Sequence, residues 1–142
     1  MNVVIMGCGR VGSTVAARLS EEGHVVSIVD TDSFAFSRLP QSFQGRCVVG
    51  SGNDTRILEE VGIHEADAFI ALASGDNRNI LAAQRAKHLF GIKTVVTRVK
   101  DPQRSDLFAE LGLRTFSPTK IGAELAHDAL FADISSSAGP EA

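Results

Sequence analysis

The chain has 142 residues, a hydrophobic content of 44% and a formal net charge of −3. That length suits one domain built on one sizeable core. The acidic balance speaks against a nucleic-acid surface, and no apolar run approaches membrane-spanning length.

Val3-Val4-Ile5-Met6 is short and β-branched, so residues 2–6 read as a buried strand. Gly7-Cys8-Gly9-Arg10-Val11-Gly12 follows, and Val15, Ala16 and Leu19 then recur at helical spacing. A helix over 10–22 is predicted, which sets the G-x-G-x-x-G pattern on a strand-to-helix turn. There the first glycine permits the tight turn, the second admits a pyrophosphate to the backbone, and the third lets helix and strand pack closely. The helix start offers unpaired N–H groups and a positive dipole end to phosphates.

Gly23-His24 is a turn, and residues 25–29 form a second strand ended by Asp30. A carboxylate there accepts from ribose hydroxyls and repels a 2′-phosphate, and Asp32 adds to the repulsion. The ligand read from these residues is an adenine nucleotide or a dinucleotide of the NAD kind. Asp32 or Ser33 caps a short helix reaching Leu39, and Arg46 to Val49 is a third strand.

Gly50-Ser51-Gly52-Asn53-Asp54 leaves that strand. Asn53 or Asp54 is the cap of a helix that buries Ile57, Leu58 and Val61 and stops at Gly62. Residues 68–72 are a fourth strand, apolar throughout as in a buried parallel sheet. Ala73-Ser74-Gly75 is its exit loop, and Asp76 or Asn77 begins a long helix to Phe90, closed by Gly91. Residues 93–99 are a fifth strand. Asp101-Pro102 starts a helix ending near Gly112, residues 114–116 are a sixth strand, and Ser117-Pro118 starts a last helix to Phe131. Residues 132–142 are small and polar and are expected to be disordered.

Alternating strands and helices imply an α/β, Rossmann-like, doubly wound parallel sheet of six strands in order 3-2-1-4-5-6, with helices on both faces. That order puts Ala73 and Ser74 across the switch point from Gly7 to Gly12. Several residues keep two readings. Arg10 is a phosphate clamp or an exposed arginine. Arg98, charged within an apolar strand, faces phosphate or pairs with a carboxylate. Asp76 and Asn79 are site residues or ordinary helix caps. Ser51 and Gly52 donate to ribose or adenine, or simply form a turn. Cys8 is a small residue suited to the loop, or a thiol whose pKa the helix start lowers. Cys47 reads as a core filler. No catalytic or metal-ligating set emerges, and the chain has no tyrosine. Binding without chemistry is therefore favoured over the alternative, the cofactor-binding domain of an NAD-dependent oxidoreductase.

The glycine turn with Arg10, Asp30-Thr31-Asp32, Gly50-Ser51-Gly52, Ala73-Ser74-Gly75-Asp76-Asn77 with Asn79, Thr97-Arg98-Val99, Leu111-Gly112 and Ser117-Pro118 come in the order of a known family. Over residues 1–131 the chain resembles the RCK N-terminal (TrkA-N) domain, and within that family Trk-type potassium-uptake regulatory proteins. The resemblance implies a cytoplasmic subunit, at the inner face of the cell membrane through its partner, that binds NAD or NADH, or alternatively ATP, ADP or AMP. It implies a membrane potassium transporter or channel as that partner, a homodimer built through the last helix, and an octameric ring for the full-length protein. It places the phosphates on Gly7–Val11 with help from Arg10 and Arg98, the ribose on Asp30, the adenine near Ser51, and Ala73 and Ser74 on the other side. Gly50-Ser51-Gly52-Asn53-Asp54 departs from the family's usual Gly-Asp-Ala/Gly-Thr. The RCK C-terminal subdomain has no counterpart in these residues.

Overall fold

Every apolar run becomes a parallel strand. In the computed structural model, which describes residues 1–133, the strands are β1 (Asn2–Met6), β2 (Val25–Asp30), β3 (Arg46–Val49), β4 (Ala68–Ala71), β5 (Thr94–Arg98) and β6 (Arg114–Phe116). They form one sheet in the order β3-β2-β1-β4-β5-β6, all parallel, as the alternating pattern predicts. The tail expected to be disordered, 132–142, lies almost wholly outside the described residues.

Because side chains alternate along a strand, β1 feeds two cores. Val3 and Ile5 pack with Ala16 of α1 (Arg10–Glu21) and Ala35 of a 3₁₀ turn (Ser33–Arg38). Val4 and Met6 pack on the opposite face with Leu58 of α2 (Thr55–Glu60) and Ala82, Ala83 and Ala86 of α3 (Asp76–His88). Burying a row of alanines brings α3 close to β4 and β5, and so fixes where its first turn stands.

The helix starts follow the sequence. Asp32 accepts from the Phe34 N–H at 3.0 Å, and Asp54, rather than Asn53, accepts from the Arg56 N–H at 2.9 Å. Asp101 and Ser117 cap α4 (Pro102–Glu110) and α5 (Pro118–Leu130), each with proline in the first turn. By contrast, α1 and α3 begin after Gly9 and Gly75 with no side-chain cap. Their first N–H groups are thus left to something outside the helix.

Two expectations need correction. Helix α3 ends at His88, not Phe90, because Gly91 takes a φ of +67° and the Phe90 and Ile92 N–H groups fold back onto Arg85 and Ala86. Cys47 is exposed rather than in the core. It lies on the edge strand β3, of which only Val48 is buried. Helix α5 has no buried residue at all.

Candidate functional site

The glycine turn is fixed by contacts that only glycine permits. Gly7 has a φ of +103°, and a Cβ there would lie 2.7 Å from the backbone of Leu72 and Ala73. A Cβ on Gly12 would lie 1.9 Å from the Gly7 carbonyl oxygen. The turn is thus pressed against the exit of β4 on one side and against its own helix on the other. Gly9 differs, for nothing stands within 4 Å of its notional Cβ. It borders open space.

That space is a crevice of about 480 Å³ at the carboxyl ends of the strands. Met6, Val29 and Leu72 give it an apolar lining, and Gly7, Gly9, Asp30, Thr31, Gly50, Ser51, Gly52, Asn53, Ala73, Ser74, Arg78 and Arg98 complete it. Asp30 is held rigidly. One carboxylate oxygen accepts the Cys8 N–H at 2.8 Å and the other the Asp32 N–H at 2.9 Å. Each oxygen keeps further lone pairs, so the group can still accept from a diol.

The opposite end is built by Asn79, which is fully buried. Its Oδ1 accepts the Ala73 N–H at 2.8 Å, and its Nδ2 donates to the carbonyls of Ala73 at 2.8 Å and Arg98 at 3.1 Å. Arg98 closes the loop by donating from Nη2 to the carbonyls of Leu72 and Ala73 at 2.6 and 2.7 Å. Its Nε is buried with no partner. Burial pulls the pKa of this guanidinium below its ordinary value, and the Asp76 carboxylate opposes that shift. Behind this wall, Asp76 accepts the N–H groups of Lys100 at 2.8 Å and Asp101 at 3.2 Å. The Lys100 carbonyl in turn accepts the Ser117 hydroxyl at 2.7 Å.

Of the residues singled out in the sequence, Gly7, Gly9, Asp30, Thr31, Ser51, Gly52, Ala73, Ser74 and Arg98 meet around the crevice. The others lie elsewhere. Asp32 caps the 3₁₀ turn, and Gly12 sits beneath the glycine turn. Arg10 and Val11 are exposed on the first turn of α1 and are not part of the lining. Asp76 and Asn79 are neither caps nor lining residues: the Asn79 side chain braces the exit of β4, and the Asp76 carboxylate braces the exit of β5. The Cys8 backbone supports Asp30, but its thiol is turned into the protein, 3.4 Å from the Ala35 carbonyl. Its pKa is pushed up to about 11 by burial and by the Asp30 charge, the reverse of the lowering that a helix start suggests. Arg98 contacts carbonyls, so neither a phosphate nor a carboxylate is needed to hold it.

Two polar side chains in the lining, Arg78 and Asn53, were not singled out as site residues by the sequence reading, nor were the apolar Met6, Val29 and Leu72 or Gly50. Asn53, once Asp54 is seen to be the cap, is free to donate from Nδ2 to the Arg78 carbonyl at 3.3 Å. Arg78 stands in the first turn of α3, right after the β4 exit that topology had assigned to the crevice. That position was the available signal. No cluster of metal-ligating side chains occurs among the described residues.

The TrkA-N domain family model matches residues 3–118. The Trk system potassium uptake protein TrkA of Streptomyces coelicolor is 47% identical over 124 residues, 87% of this chain and 56% of that protein. The chain spans about half the length of the curated relatives it matches. Among solved structures, the GsuK channel bound to NAD aligns at a TM-score of 0.80 and 23% identity, over 95% of this chain and 24% of that one. GsuK bound to ADP aligns at 0.78 and 22%, over 93% and 34%. At such identity these likenesses show the shared fold.

Proposed function

Because the chain belongs to the TrkA-N domain family, we propose that it is a nucleotide-sensing regulatory domain of a potassium uptake system, without catalytic activity of its own. Its ligand is NAD(H) or an adenine nucleotide such as ATP, ADP or AMP. The observation that carries this reading is the Asp30 carboxylate, held by two backbone N–H groups beside an open crevice that starts at an uncapped helix. The anionic part of the ligand lies against the N–H groups at the start of α1, with Gly9 allowing close approach. The ribose diol donates to Asp30, which rejects a 2′-phosphate. Ser51 and Gly52 face the adenosine end, and Ala73, Ser74 and Arg98 the other.

Regulation then follows from differential affinity. A ligand shifts a conformational equilibrium only by as much as it prefers one state. The domain works in the cytoplasm, as a dimer joined through α5 and as a ring in the full-length protein, on a membrane potassium transporter or channel. No helix among the described residues is long and apolar enough to cross a membrane.

The test is titration calorimetry across NAD, NADH, ATP, ADP, AMP and NADP. Saturable binding of at least one ligand with a free ribose 2′-hydroxyl, with NADP much weaker, is the expected result. No binding of any of them would overturn the ligand assignment. Equal affinity and equal effect on transport for all would overturn the sensing mechanism.

A further inference from the structure

Arg78 is a lining residue with no role assigned so far. Its stem runs along the β4 exit, for a Cβ on Gly75 would meet its Cγ and Cδ at 3.7 Å. Its carbonyl is joined to the β3 exit through Asn53. Among the described residues its guanidinium makes neither a hydrogen bond nor an ion pair, although Arg56, Arg104 and Lys120 on neighbouring helices each have a carboxylate partner.

The crevice therefore holds two guanidiniums in two different places. Arg98 lies against Leu72 and Ala73, the segment that touches Gly7, and so it stands beside the glycine turn. Arg78 is tied by its main-chain carbonyl to Asn53 in the loop leaving β3, while its stem passes Gly75. If phosphates meet the glycine turn and the sugar meets Asp30, the base falls at the β3 exit. That end has no aromatic lining residue on which a base could stack. A guanidinium is planar, weakly hydrated for its charge, and stacks on aromatic faces.

We infer that Arg78 covers the nucleobase, its guanidinium lying over the ring as the stacking partner that the crevice otherwise lacks. This rests on the nucleotide reading given above and adds a base-contacting residue to it. It assigns Arg78 no contact with phosphate. Plane and charge are separable by substitution, since phenylalanine keeps a flat face without charge and lysine keeps the charge without a flat face.

The experiment measures ADP and NAD affinity of the unsubstituted chain and of Arg78→Ala, Arg78→Lys and Arg78→Phe, with thermal melting to confirm folding. Arg78 is exposed, so melting should not change. Arg78→Ala and Arg78→Lys should each weaken both ligands by roughly three- to tenfold, the scale of a single stacking contact. Arg78→Phe should stay close to the unsubstituted affinity. Recovery by lysine but not phenylalanine would overturn the inference in favour of a phosphate contact. Unchanged affinity in all three variants, or equal loss in all three, would overturn it as well. If the unsubstituted chain bound neither ligand, the nucleotide reading would fall, and this inference with it.

Discussion

The Asp30 carboxylate joins the glycine turn to the β2 exit, because each oxygen already accepts a backbone N–H. Its removal should cost both the ribose contact and the shape of the turn. Asp30→Ala is expected to weaken NAD or ADP binding by about 1–3 kcal/mol, the scale of a hydrogen bond to a charged group, as read by calorimetry. The two cysteines give an independent check on the core. At neutral pH a maleimide should label the exposed Cys47 and leave Cys8 untouched until the protein unfolds, and Cys47→Ser should abolish labelling of the native chain. Cys8 also leaves a pH signature. Burial and the Asp30 charge push its folded pKa up to about 11, above the ordinary thiol value of 9.0, so folding favours the protonated thiol. The stability it contributes is fully present below pH 9 and is lost as pH rises through about 11. Cys8→Ser should therefore flatten the alkaline end of a denaturation-against-pH curve. The sequence showed Asp30 because a carboxylate ending a strand after a glycine turn has few other uses. It misread Cys47 because four residues at a sheet edge do not reveal which face is covered. It passed over Arg78 because an arginine in a first helical turn is unremarkable until the facing loop is seen.

The glycine turn and the β4 exit form a single rigid element, and its glycines are not equivalent. Gly12→Ala would drive a methyl into the Gly7 carbonyl, so a loss of about 3 kcal/mol of stability is expected, typical of overpacking against backbone. Gly9→Ala has open space and a φ of −80°. It should melt normally while losing nucleotide affinity, because its methyl occupies the approach to the helix start. Asn79→Ala removes three hydrogen bonds from a fully buried position. A loss of about 2–4 kcal/mol is expected, since the backbone groups of Ala73 and Arg98 would lose partners out of reach of water. Helix starts were legible in the chain because a cap is a local event, made by one side chain and an N–H two or three residues on. Bracing of the Asn79 kind was not, because its partners lie on a different strand and in a loop. Helix ends were read less well for the same reason. Where α3 stops depends on how Gly91 and Ile92 meet the sheet.

At the scale of the molecule, the strand order was predictable because right-handed crossovers and the position of the glycine turn leave few alternatives. The surface that α5 turns outward is a different matter. Ile121, Leu125 and Leu130, on a helix with no buried residue, and Phe131 just after it are all at least 45% exposed. If α5 joins two copies, Leu125→Glu should shift sedimentation towards the monomer at high protein concentration while leaving ADP affinity unchanged. Unaltered sedimentation of a dimer would move the contact to another face. The start of α5 is fastened through Ser117 to Lys100, and Lys100 to Asp76, at the back of the crevice wall. Beyond Ser117 the helix is tied to α4 by the Lys120–Asp106 ion pair at 3.5 Å, buries no residue, and runs 13 residues or about 20 Å at the usual rise per residue. A tilt of about 5° at the start of α5 would sweep its tip through roughly 1.7 Å on that length, so a helix fastened at one end to the back of the crevice wall turns a small change of angle there into a displacement of atomic size at its far end.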